Sequence, residues 1–360
     1  MKTIVQFFTT AICTTLMLVY SITSTAQEML YSQIFNNLPL YNPATVGCNE
    51  NMNVCVSYRS QWPKLPQKFT SENLYVNKGL FGKKDPKVGF GLIVQNQKSG
   101  ISALTTTHIG GSFSKGVKIN KYIYSTVGIS ILGGYETTDF SNLVFPDQLD
   151  PAAGNIYPTS YSGYTDKRFF LQADGGVMLQ IFDRKGYRRG EIGGAVRRFA
   201  ITGNGFSGGN MKEGKQPYGY NLHGEIVFPF NYLRNRFVKY ETPLLIPGFY
   251  LNNAHLRRSE NLGTTSCIAG ANLMTDDYLI GIWLKKTFYP EIHDLGNRPD
   301  FVLVGGFKYS LSSTLVTKLS YSHDFQNRKA LGNLGGADEV HICVELGKRT
   351  KTRKPSDLRW

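Results

Sequence analysis

The sequence predicts an all-β fold, a transmembrane antiparallel β-barrel of about fourteen strands with an N-terminal plug-like or rim segment. Three observations carry that prediction. After an apolar leader no run of about 20 apolar residues occurs, which excludes helical membrane spans. From Met52 onward, segments of about ten residues alternate apolar and polar side chains with the two-residue period of a strand, and their number is even. The connections between them are either long and polar or short and tight.

The leader comes first in the chain. Lys2, the apolar run "IVQFFTTAICTTLMLVYSI" and the small residues Ser24 and Ala26 form the three parts of a secretory signal over 1–26. Threonines and Gln6 interrupt the run, which argues against a retained anchor. Cys13 follows Ile12 inside it, so the lipoprotein pattern of a small residue before a Cys at the run's end is missing. The remainder, about 330 residues, suits one large β architecture better than two ordinary domains. Its composition agrees: 38 Gly, 21 Tyr and 22 Phe, without the long Leu/Ala/Glu/Lys stretches that build helices. Export without a helical anchor leaves periplasm, outer membrane or exterior.

Met52 to Arg59 opens the strand series, with Val54, Val56 and Tyr58 on one face and Asn53, Cys55, Ser57 and Arg59 on the other. "KVGFGLIVQ" sets Val88, Phe90, Leu92 and Val94 against Gly89, Gly91, Ile93 and Gln95. "EVHICVELG" sets Val340, Ile342, Val344 and Leu346 against Glu339, His341, Cys343 and Glu345. The full series falls near 52–59, 67–76, 87–97, 102–116, 121–134, 168–182, 190–199, 218–229, 238–251, 265–274, 277–288, 301–310, 314–324 and 338–347. Such alternation also fits a soluble sandwich, whose apolar face is a core rather than a lipid contact. Strand number, strand length and the aromatics near strand ends favour the barrel. Those aromatics are Tyr122 and Tyr124, Phe169 and Phe170, Tyr218 and Tyr220, Phe249 and Tyr250, and Phe288 and Tyr289. They suit interfacial girdles. Glycine within strands, as in "VGFGLIV", "HIGGSF", "ADGGVML" and "EIGGAV", weakens an ordinary sheet but lets a barrel wall curve and approach an interior element.

Chemical motifs are sparse. "GNGFSGGN" at 203–210 has no helix pattern after it to offer an N-terminus to phosphate. The six histidines are scattered, and the four cysteines after the leader, Cys48, Cys55, Cys267 and Cys343, lack zinc spacing. Whether Cys48 and Cys55 are bridged is open. Ser322, His323 and Asp324 are neighbours in "SHDF", yet adjacent strand residues point to opposite faces and cannot form a triad. No catalytic residue, metal site, cofactor or small-molecule substrate is expected. The charge of +14 concentrates only in the tail "KRTKTRKPSDLR", so the basic excess suits anionic lipid or an acidic partner rather than nucleic acid. Alternation places Arg59, Gln95, Lys318, Glu339, His341 and Glu345 in the lumen, a mixed-charge set suited to an internal plug or a wet interior more than to ion selection.

The ordered set of short motifs resembles the PorP/SprF proteins of the type IX secretion system. It begins with "YSQIFNNLPLYNPATVG" and "SYRSQWPKL", continues through "KVGFGLIVQNQKSGI" and "AGANLMTDDYLIGIWLKK", and ends with "LSYSHDF" and "GGADEVHICVEL". "IWLKK" lacks the family's tyrosine-arginine strand ending, and "ADEVH" stands where a His-Glu pair is typical. The resemblance implies an outer-membrane barrel serving secretion or surface attachment of proteins bearing a sorting domain, and gliding in some members. The implied partners are that cargo, periplasmic ring components and, for some members, a peptidoglycan-linked protein. The chain then divides into the signal at 1–26, a periplasmic entry or plug segment at 27–51, the barrel at 52–347 and a basic periplasmic tail at 348–360. Two alternatives stand beside it, a passive channel for small solutes and a secreted β-sandwich adhesin.

The segment around "LYSQIFNNLPLYNPATVG" joins leader to barrel and is expected to start on the periplasmic side. Its aromatics Tyr31, Phe35 and Tyr41 need apolar cover, and Asn36, Asn37 and Asn42 need hydrogen-bond partners. Tyr31, Phe35, Asn36, Asn42, Pro43 and Gly47 are the candidate plug or partner-docking residues. Packing on the barrel rim is the other role open to them.

Overall fold

The structure, a computed structural model, describes residues 30–48, 51–65, 68–80, 88–100, 104–137, 146–150, 154–155, 158, 167–184, 187–203, 218–229, 243–257, 262–288, 298–326 and 334–347. The predicted leader, the basic tail with Trp360 and most of "GNGFSGGN" lie outside these residues.

The fourteen long strands are β1 (Met52–Gln61), β2 (Phe69–Leu80), β3 (Val88–Ser99), β4 (Leu104–Lys118), β5 (Ile123–Thr137), β6 (Lys167–Phe182), β7 (Arg188–Gly203), β8 (Gly219–Ile226), β9 (Leu244–Arg257), β10 (Leu262–Met274), β11 (Tyr278–Phe288), β12 (Asp300–Ser310), β13 (Leu315–Phe325) and β14 (Ala337–Leu346). Each pairs antiparallel with its neighbour in sequence, and β1 pairs with β14 from Met52↔Leu346 to Gln61↔Ala337. The up-and-down sheet therefore closes on itself and leaves no edge among these strands. Cys55 and Cys343, directly opposite across the closing seam, form a disulfide between residues 288 apart in sequence, while Cys48 and Cys267 are not disulfide-bonded.

The distribution of side chains is the reverse of a soluble sandwich. Val56, Phe90, Leu92, Ile109, Ile129, Val177 and Ile282 face outward and are exposed, whereas Ser57, Arg59, Asn73, Gln172, Asp174, His223 and Glu339 face inward and are buried. An apolar exterior around a polar interior is what lipid on one side and hydrogen-bonding partners on the other require. His323 follows the same alternation. It faces outward and pairs with Asp338 at 2.8 Å, while Ser322 and Asp324 turn inward.

The same rule corrects the girdle. In each adjacent aromatic pair only one ring can face lipid, so Phe169 is 73% exposed while Phe170 is buried against His108. Likewise Tyr250 points inward beside Phe249, and Tyr124 does too, its partner Tyr122 lying in the turn before β5. Phe249 and Tyr250 also lie in the middle of β9, because that strand runs from Leu244 to Arg257 rather than over 238–251. Tyr289 lies outside the described residues. The observed outward rings include Tyr135 with Phe169, Phe288, and Phe301 with Phe325 toward one end, and Phe90 with Phe113, Tyr278 and Tyr309 toward the other.

Pro247 has no amide hydrogen for a ladder, and it sits where one is not needed. The β8–β9 pairing ends at Glu225↔Gly248, and beyond it Val227 donates to Arg189 O instead. A short continuation, Phe228–Pro229, then pairs with Leu245 and Leu244.

Because β1 starts and β14 finishes at the same end, the thirteen connections divide into seven at the opposite end, here the mouth, and six at the shared end, the base. The long connection between β5 and β6 is at the mouth, and the tight turns 275–277 and 311–314 are at the base.

Candidate functional site

A barrel of fourteen strands is too wide for its wall side chains to fill alone. Residues 30–48 fill it. They contain one helical turn (Ile34–Asn37) and two 3₁₀ turns (Leu38–Leu40 and Pro43–Thr45), and nearly every side chain is buried. Proline at 39 and 43, together with the amides, explains why neither a long helix nor a strand forms. The Asn42 side chain accepts from Ala44 N at 2.9 Å and caps the turn that Pro43 begins.

This strap contacts successive levels of the wall. At the mouth, Lys285 Nζ donates to Leu30 O at 3.3 Å. Glu339 accepts the backbone N–H of Ser32 at 2.6 Å and of Gln33 at 3.1 Å, and Ser32 Oγ donates to Asp324 at 2.7 Å. Arg59 pairs with Asp324 at 2.8 Å and Glu339 at 3.2 Å, and Lys285 lies 3.5 Å from Asp324. Two cations and two carboxylates thus make a buried, formally neutral quartet around Ser32. Burying such charges costs free energy unless each is paired and hydrogen-bonded, a condition the strap's own N–H and hydroxyl groups help to meet.

Below the quartet, Ser57 Oγ and Asn73 Nδ2 donate to Asn37 Oδ1 at 2.9 and 3.3 Å, and Tyr75 donates to Asn36 O at 2.6 Å. Phe35 stacks on Trp283 with ring centroids 5.4 Å apart and planes 15° from parallel. At mid-height Asn221 donates to Tyr41 O at 2.7 Å, and Asn42 Nδ2 donates to Val177 O at 3.1 Å while lying 3.0 Å from His223 Nε2. Near the base Ser114 donates to Val46 O at 2.6 Å. Here the wall is glycine. A Cβ on Gly176 would collide with the Asn42 amide oxygen, one on Gly128 with the backbone of Pro43 and Ala44, and one on Gly89 with Val46 O. Gly47 adopts φ +69 to turn the strap out toward β1.

All six expected lumen residues lie on the inward face. Arg59 and Glu339 belong to the quartet, while Lys318 pairs with Glu345 at 3.1 Å, and Glu345 accepts from Asn51 at 2.6 Å. His341 lies 2.7 Å from Ser57 Oγ, and Gln95 is half-buried opposite His108 in the β3–β4 register. Sequence reasoning missed Asp324 and Lys285. Asp324 was legible by extending the alternation of β13 from Lys318 through Ser320 and Ser322. Lys285 was hidden by Trp283, whose bulk made that face of β11 read as apolar. A further inward group, Arg188 with Glu191 and with Glu225 at 2.6 Å, sits toward the base.

One expectation is reversed. The segment was expected to begin at the periplasmic opening, where β1 starts, but its first described residue is at the other end. The cause is where its partners lie: the carboxylates that satisfy Ser32 and Gln33 are near the mouth ends of β13 and β14, and the segment runs from them through its three turns to Ser114 near the base.

An outer-membrane β-barrel whose lumen holds its own N-terminal segment is the class these features define. Residues 23–343 match the model of the type IX secretion system membrane protein PorP/SprF, and the chain belongs to that family. No curated protein matches the sequence. Among solved structures, the fold is similar to a TodX deltaS2S3 mutant monoaromatic hydrocarbon channel at 10% identity, covering 88% of this chain and 94% of that one with a TM-score of 0.49. The Pseudomonas putida toluene transporter TodX gives 10% identity, 91% and 96% coverage and a TM-score of 0.48. A Pseudomonas aeruginosa FadL homologue gives 11% identity, 86% and 93% coverage and a TM-score of 0.45. Family membership makes this chain an outer-membrane barrel of the type IX secretion system and ties it to that machinery.

Proposed function

We propose that the protein is a non-enzymatic adaptor or anchor of the type IX secretion machinery, holding a sorting-domain cargo protein at the outer membrane. Its periplasmic side, including the basic tail at 348–360, meets ring or peptidoglycan-linked components, and in a gliding cell the same anchorage serves motility. The observation that carries this is the occupied lumen. The strap is hydrogen-bonded to the wall from Leu30 to Val46, a built-in element rather than a passing solute. Tyr31, Phe35, Asn36, Asn42, Pro43 and Gly47 act in this scheme by fixing the strap and the shape of the barrel that partners meet. A barrel so filled has little use as a passive channel.

Detergent pull-down of the native protein, with identification of co-purifying proteins, tests the proposal. Sorting-domain cargo or ring protein is the expected catch. Recovery of neither, together with robust conductance in planar bilayers, would overturn it in favour of the channel. Deleting residues 30–46 is expected to abolish secretion of the cargo with the barrel still assembled; unchanged secretion would remove the strap from the mechanism.

A further inference from the structure

We propose that the closing seam, once reduced, is a metal site in which the Cys55 and Cys343 thiolates and the His341 imidazole take one divalent ion of the zinc type. The three side chains come from opposite ends of the chain and meet only because β1 pairs with β14. Cys55 faces Cys343 and Ser57 faces His341 in that register, so the ligands occupy neighbouring rows of one inward surface. One donor atom from each residue lies within 4.8 Å of the other two, and all three residues are buried. Their distance apart in the chain is why no zinc spacing is visible in the sequence.

The strap sets the histidine up to bind. Asn37 donates through Nδ2 to Gln33 O, which leaves its Oδ1 as an acceptor. Ser57 gives its single hydrogen to that oxygen at 2.9 Å, so across the 2.7 Å contact between Ser57 Oγ and His341 Nδ1 the imidazole is the donor. The proton therefore sits on Nδ1 and the ligating lone pair on Nε2. Metal-bound histidines are commonly oriented in this way, by a hydrogen bond from the other ring nitrogen. Charge also balances, because two thiolates neutralise a divalent ion while Lys318, opposite Cys343 in the β13–β14 register, is engaged by Glu345 at 3.1 Å. Cys55 and Cys343 border a cavity with Asn53, Asn77 and Lys318, wide enough for the water that completes tetrahedral coordination. In the structure the two sulfurs are bonded to each other, so disulfide and ion are alternatives. A dithiol reductant breaks the S–S bond, supplying two electrons and two protons and becoming a disulfide itself, and the ion then displaces both thiol protons to water.

Titration of the detergent-purified protein with Co2+, then Zn2+, tests this in a Cys48→Ser, Cys267→Ser background after anaerobic reduction with dithiothreitol and its removal. The expected result is one equivalent of cobalt with a strong sulfur-to-cobalt charge-transfer band, bleached by zinc and absent both without reduction and in Cys343→Ser. Ser57→Ala, which removes the group that orients His341, should weaken binding about ten- to hundredfold. A reduced barrel that keeps its heat-dependent gel shift yet gives no band would overturn the proposal, as would unchanged affinity and spectrum in His341→Ala. Should His341→Ala not assemble, X-ray absorption of the zinc-loaded protein decides the matter. Imidazole scattering beside two sulfurs supports the site, and its absence refutes it.

Discussion

The two halves of the strap are held by different physics. Near the mouth the wall reaches for the strap with long charged side chains, as when Glu339 takes two backbone N–H groups and Arg59 bridges Glu339 and Asp324. Near the base the wall withdraws its side chains, glycines at 89 and 128 let the backbones themselves come into contact, and Gly176 admits the Asn42 amide and the Pro43 ring. Charge spans a gap and carries a desolvation cost that only complete pairing offsets. Glycine removes the gap and costs strand stability instead, through backbone entropy and lost packing. The mouth half is therefore vulnerable to loss of a partner, and the base half to gain of a single carbon.

Arg59→Met breaks the mouth half most severely. It leaves the Asp324 and Glu339 carboxylates buried with Lys285 as the remaining cation of the quartet, and removing one partner of a buried ion pair costs about 3–5 kcal/mol. The expected result is a lower midpoint for the heat-dependent gel shift of the barrel and faster protease cleavage within residues 30–36. Neutralising a carboxylate at the same time, as in Arg59→Met with Glu339→Gln, should recover part of the loss. A single variant that melts with the native protein would show that charge is not what holds the mouth half.

Gly176→Ala addresses the base half. The added methyl falls within contact distance of Asn42 Oδ1 and of Pro43 Cδ, and overpacking of this kind costs about 1–3 kcal/mol. Gly305→Ala is the matched control, because a Cβ there meets nothing within 4 Å. The comparison predicts a lowered melting midpoint for the first and none for the second. Equal effects would mean that glycine matters here for strand conformation rather than for the strap.

Much of this was legible in the sequence, and the exceptions have physical causes. Two-residue alternation placed Arg59, Lys318, Glu339, His341 and Glu345 on the inward face, since a barrel wall has no third direction for a side chain. Glycine runs in "ADGGVML" and "VGFGLIV" announced an interior element before its path was known. The path itself was not legible, because the strap's contacts join residues from 20 to 307 apart in sequence, and no local pattern encodes which level of the wall Ser32 meets. The disulfide was hidden for the same reason. Cys55 pairs with Cys343 only because the seam register sets them opposite each other, whereas proximity in sequence suggested Cys48. Adjacent aromatics misled in the other direction, since composition marks a belt without saying which ring of a pair enters it.

The smallest expected effect tests the junction of the two halves. Asn42 caps the Pro43–Thr45 turn through Oδ1, and its Nδ2 donates to Val177 O on β6. Asn42→Ala loses the cap and leaves Val177 O short of a donor, for a cost of about 1 kcal/mol. The same oxygen that caps the turn is the atom a methyl at Gly176 would strike. The two substitutions should therefore not add. In the Asn42→Ala background, Gly176→Ala loses its main collision and retains only the contact with Pro43, so the double variant should melt above the sum of the single losses. Arg59→Met, at the other end of the lumen, shares no partner with Asn42, and that pair should add to within about 0.5 kcal/mol. Coupling between Asn42 and Arg59 comparable to that between Asn42 and Gly176 would mean that the strap moves as one rigid rod, and the division into a charged half and a packed half would fail.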